Sequence, residues 1–138
     1  MLRREQVLLL ITIGILLPPC LHAWYEPAQK DAEFVKKGRR LYVQYCVSCH
    51  GPSGKGDGPA ASRFQEPPPD LTTISERYRG FPTHKIMGWI DGEKAGTPHG
   101  KREMPVWGRQ FRRTERGEAG ALGEVYALTK YIESIQGK

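Results

Sequence analysis

Five consecutive residues, Cys46-Val47-Ser48-Cys49-His50, restrict this 138-residue chain more than any other feature. Cys-x-x-Cys-His is the attachment pattern of a c-type haem. Two thiols add across the two vinyl groups of the porphyrin, and a two-residue spacer lets both sulfurs reach from one turn of backbone. The adjacent histidine then lies under the iron, where Nε2 becomes the proximal ligand. Its other ring nitrogen is left to donate a hydrogen bond that orients the ring. A thioredoxin-like redox pair would need a βαβ context, which the sequence lacks. A structural zinc site needs four ligands. His84 and His99 would have to join Cys46 and Cys49, leaving His50 without a role. The motif therefore predicts one haem c, linked through Cys46 and Cys49.

The start of the chain has a different composition. Arg3 and Arg4 precede the apolar run Val7–Leu17, interrupted only by Thr12 and Gly14; Pro18-Pro19 and then Leu21-His22-Ala23 follow. Basic, apolar, then small is the layout of a secretory signal peptide. The run is far shorter than the roughly twenty residues that span a bilayer. The expected organisation is a cleaved signal peptide at 1–23 and one domain at 24–138. Such a protein is periplasmic and soluble, or membrane-anchored if the segment is retained. Cys20 leaves with the signal, so Cys46 and Cys49 are the only thiols expected in the mature chain. The full chain carries +6, and residues 24–138 carry 19 Lys/Arg against 14 Asp/Glu, or +5, a balance that favours acidic partners. Nucleic acid is a poor fit, because an exported protein does not meet it and the basic residues form no long run.

Helical periodicity marks most of what remains. Phe34, Gly38, Leu41 and Tyr45 recur at spacings of four, three and four, predicting a helix over 31–45. Glycine costs roughly 1 kcal/mol against alanine inside a helix, so Gly38 on the apolar face implies a close approach by another segment. Residues 51–69, rich in Gly and Pro, read as a loop long enough to serve a site. A short helix is expected within 70–79. Another starts at Thr83 as N-cap, carries Ile86, Trp89 and Ile90, and stops at Gly92. Residues 92–103 read as a second loop. In the last helix Leu122, Val125, Leu128, Ile132 and Ile135 form the apolar stripe, with Tyr131 beside it and Glu124 and Lys130 on other faces. The fold class is all-α: three to four helices with long loops wrapped around the haem.

A six-coordinate iron needs a second axial ligand, and Met104, Met87, His84 and His99 are the candidates. Met87 lies in a helical segment, where methionine commonly fills core space. Met104 lies in a loop stiffened by Pro105, with Trp107 and Gly108 able to wall the sulfur; that setting favours it.

The segments "GRRLYVQYCVSCHG", "GKGDGPAA", "PPPDLT", "MPVWG" and "YALTKYIESI" together resemble the class I cytochrome c family, particularly small monohaem bacterial members, over residues 31–136. The resemblance implies thioether links from Cys46 and Cys49 and axial ligation by His50 and Met104. It implies that the carbonyl of Pro68 or Pro69 accepts the His50 N–H, that Gly38 and Tyr131 meet where the first helix crosses the last, and that Trp89 neighbours a haem propionate. The loop 92–103 and the segment "RRTERGEAGALG" before the last helix depart from the family pattern.

A thioether ligand favours Fe(II) and raises the potential, and two protein ligands leave no coordination site for a substrate. The expected function is a periplasmic electron carrier serving redox partner proteins, not an enzyme. A dedicated cytochrome subunit of a dehydrogenase or oxidase is the alternative, and a ligand-binding or peroxidatic haem protein the third.

Overall fold

A computed structural model describes residues 25–92, 104–114 and 117–137, with side-chain surroundings from residue 29 onward. The proposed signal peptide and most of the 92–103 loop, including His99, lie outside the described residues. The chain divides into two units, residues 1–31 and 32–138. Of the first, only its last residues are described, as the opening turns of a helix.

That helix, α1, runs Tyr25–Tyr45 and is longer at its start than its periodicity suggested. A single turn, α2, follows at Val47–His50. A loop with one 3-10 turn at Ala61–Arg63 leads to a second 3-10 turn, Leu71–Thr73, and then to α3 at Ile74–Tyr78. The remaining helices are α4 (Thr83–Asp91), α5 (Trp107–Thr114) and α6 (Gly117–Ser134). The described residues are all-α, as the sequence predicted. Among them no helix is long and apolar enough to cross a membrane.

The core collects Tyr42, Cys46, Ile74, Ile86, Ile90, Phe111, Ala121, Val125, Leu128 and Ile132. Helix α6 is its axis, with α4 and α5 packed against it and against each other. On another side, α1 meets α6 at three successive levels. Phe34 stands edge-on to Tyr126, Gly38 faces the Ala127 backbone, and Tyr42 tilts against Tyr131 at 5.0 Å. The close approach inferred from Gly38 is therefore made by α6. Past the end of α6, the Gln136 side chain donates to Leu71 O and accepts from Ser75 N, tying the C-terminus to the 70–75 segment.

Two expectations need correction. Leu122, placed on the apolar stripe, is 57% exposed, whereas Glu124, placed on another face, is 5% exposed and pairs with Lys37. Because α6 is contacted from several sides, its buried surface is wider than one stripe. Thr83 is the first residue of α4, not its cap; Pro82 holds the cap position and its carbonyl accepts from Lys85 N and Ile86 N. Residues 112–114 close α5, and residues 117–123 open α6. Helix α5 is anchored by Arg112, which bonds Asp91 at 3.1 Å and Glu118 at 3.3 Å, and by Gly108, packed against Asp91.

Candidate functional site

The Cys-x-x-Cys-His segment is a continuation of α1 by one turn. Cys46 N donates to Tyr42 O at 2.8 Å, preserving the helical ladder, and the Cys49 and His50 amides both return to Cys46 O, at 3.1 and 2.9 Å. Cys46 and Cys49, three residues apart on one turn, share a face. Neither cysteine is in a disulfide; Cys46 is buried and Cys49 half-buried. Burial, with Cys49 adding to it, pushes the Cys46 thiol up to about 12. A thiol held neutral in apolar surroundings is poorly suited to serve as a redox or zinc-binding thiolate. It suits a sulfur that ends as a neutral thioether against a macrocycle. His50 is 8% exposed, and its Nδ1 atom is sealed from solvent.

One turn of helix leaves every carbonyl it contains without an internal partner. Here the glycine-rich loop supplies them all. Gly51 N donates to Val47 O, Ala60 N to Ser48 O, Gly58 N to Cys49 O and Gly56 N to His50 O, at 2.8–3.1 Å. The next carbonyl, Gly51 O, accepts from the Tyr42 hydroxyl at 2.7 Å. This clamp explains the composition of the loop. A side chain on Gly58 would begin 2.6 Å from Val47 O, so the loop could not lie on the turn. Gly51 itself has φ 76° and ψ 164°, a backbone region that essentially only glycine enters.

The proline run approaches from the far side of the loop. Leu71 N donates to Gly54 O at 2.7 Å, and the Pro68 carbonyl abuts Gly56, whose amide holds the His50 carbonyl. Pro68 and Pro69 are both half-buried. Met104 is half-buried against the same core that contains Cys46, and so is Met87. His84 is exposed. Trp107 packs on Tyr45 at 5.2 Å, next in sequence to Cys46, and on Phe111. Trp89 stands at an angle to Tyr78, with the Lys85 ammonium 4.4 Å above Tyr78 and 5.5 Å above Trp89.

Tyr42 is the site residue that sequence reasoning passed over. Its signal was its position four residues before Cys46, one helical turn away on the same face.

The donor set fits a haem c: two thiols on one turn, a buried imidazole directly after them, and soft thioethers at the core edge. The family model for Cytochrome c matches residues 35–136. No curated protein and no solved structure matches the chain. The family match takes in the attachment turn, its glycine clamp, Met104 and α6, and by it the chain belongs to the cytochrome c family of electron-transfer haem proteins.

Proposed function

We propose that this protein is an exported, periplasmic electron carrier holding one haem c. Cys46 and Cys49 form the thioether links, and His50 and Met104 are the axial ligands. The observation that carries this reading is the single clamped turn that puts both cysteines on one face and buries His50. The carbonyl of Pro68 or Pro69 is assigned to the His50 Nδ1–H, and Trp89 to a propionate. Export rests on the basic-then-apolar start of residues 1–23.

Haem c supplies a one-electron Fe(III)/Fe(II) couple. The chain's own residues hold its ligands still, exclude water from the His50 side, and leave no coordination site for a substrate, which favours a carrier over an enzyme. Without Arg3, Arg4 and Glu5 of the proposed signal peptide, 19 Lys/Arg against 14 Asp/Glu leave a net charge of +5, which directs the protein toward acidic faces of redox partners. An open depression of about 380 Å³, lined by Pro105, Val106, Trp107, Arg109, Gln110 and Arg113, puts two exposed arginines close to Met104 in the chain.

The ligand set is tested by Met104→Ala. Loss of the ferric absorption band characteristic of methionine ligation is expected; its persistence would remove Met104 from the site. Intact mass of the mature protein should show one haem. Avid carbon monoxide binding by the reduced wild type at neutral pH would overturn the carrier reading. Persistent co-elution with an enzyme from native extract would replace a free carrier with a dedicated subunit.

A further inference from the structure

Tyr42 holds both ends of the attachment peptide. Its carbonyl accepts from Cys46 N at 2.8 Å, and its hydroxyl donates to Gly51 O at 2.7 Å. Between these two contacts lie both thioether cysteines and His50. The residue is 1% exposed and packed against Tyr131, so its ring has a fixed seat between α1 and α6.

The contact with Gly51 falls where the backbone is softest. Glycine lacks the side chain that would limit its φ and ψ, so Gly51 is the joint most able to turn beside His50. The peptide unit before the joint is held by Gly56 N on His50 O. The unit after it leads into Pro52, which has no N–H to contribute. Its carbonyl accepts from the Tyr42 hydroxyl at 2.7 Å, the shorter of its two contacts, and from Gly54 N at 3.3 Å. Desolvation by burial raises the phenol above its usual range, so the group remains a donor in the folded protein.

We propose that Tyr42 is a positioning residue for the axial ligand: its hydroxyl locks the glycine joint behind His50 and so sets the orientation of the imidazole. This rests on His50 being a haem ligand, and it assigns the control of that ligand to a side chain outside the attachment motif.

The experiment compares mature holoprotein with Tyr42→Phe, with 3-fluorotyrosine incorporated at position 42, and with Phe34→Ala. Phe34 packs on Tyr126 at the same helix pair, eight residues or about 12 Å along α1 from Tyr42. It is a control for lost packing alone. Low-spin ferric EPR g values report the ligand orientation, and the midpoint potential reports its bond to iron. Tyr42→Phe is expected to shift both. Phe34→Ala is expected to lose stability while leaving g values and potential where they were. The fluorinated phenol, a stronger donor of nearly the same shape, should move the potential opposite to Tyr42→Phe, and it serves if the phenylalanine variant fails to accumulate. Unmoved g values and potential in the tyrosine variants would reduce Tyr42 to a packing residue. A wild-type protein without covalent haem would instead remove the electron-carrier reading itself.

Discussion

The main-chain oxygen of Ala127 lies in the space where a side chain on Gly38 would begin, so α1 and α6 touch backbone to backbone. The same added carbon would stand 2.8 Å from Tyr131 Cβ. Neither neighbour is the movable end of a long side chain, so the helices themselves would have to separate.

Gly38→Ala should therefore destabilise the protein although alanine is the better helix former by roughly 1 kcal/mol. An overpacking cost of up to about 3 kcal/mol, set against that gain, leaves an expected net loss of about 2 kcal/mol. Guanidinium unfolding of the holoprotein measures it, and a stabilised variant would mean that the helices are not in backbone contact.

The ion pair of Lys37 with Glu124 is asymmetric: the lysine side chain is 40% exposed and the glutamate 6%. Lys37→Met would leave a buried carboxylate uncompensated, at a cost of roughly 1–3 kcal/mol. Glu124→Gln leaves the exposed lysine to water and should cost less. Equal losses in the two variants, read by chemical unfolding, would contradict the burial of Glu124.

Asp70 caps the 3-10 turn at Leu71–Thr73, accepting from Thr72 Oγ1 at 2.6 Å and Thr72 N at 2.7 Å. The hydroxyl contact first, and then the amide, holds its carboxyl below the usual carboxylate range. A carboxyl whose folded pKa is depressed contributes stability above its unfolded pKa, and that contribution fades as pH falls through the folded value. Wild type should thus exceed Asp70→Ala in stability at neutral pH, with the gap narrowing in acid. Melting temperatures across an acid titration check this; a gap that widens in acid would reverse the assignment.

Gly51→Ala places a side chain where the Asp57 carboxylate sits, on a backbone with φ 76° and ψ 164°. Strain of about 1–3 kcal/mol falls on the residue beside His50, so the yield of haem-loaded protein should drop. Gly51→Ala with Asp57→Ala removes the collision but keeps the backbone strain, and should restore the yield only in part. The ratio of Soret to protein absorbance reads the outcome.

What could be read before folding was whatever local chemistry dictates. The Cys46–His50 motif specified its own cofactor because two thioethers and an adjacent imidazole need that spacing whatever surrounds them. Gly38 signalled a close contact because glycine in a helix interior otherwise only costs stability. Gly92 ended α4 in the left-handed conformation, with its amide returning to Gly88 O. Helix α5 was not legible: within Trp107–Thr114 only Trp107 and Phe111 are large and apolar, too few for a periodic signal. It is held through Arg112 and Gly108 to Asp91, a residue at the end of α4 that no short window of sequence brings beside them.

The sequence by itself determined an all-α chain and the Cys46–His50 turn whose spacing points to a haem c, since each follows from residue type at short spacing. The tertiary structure alone decided that the Gly51–Ala60 loop closes over the attachment turn, that Tyr42 reaches Gly51, and that Glu124 is buried while Leu122 faces solvent. Those outcomes depend on which backbone carbonyls and helix faces meet across the fold. An unsatisfied carbonyl or an uncovered apolar face acquires its partner only when the whole chain has packed.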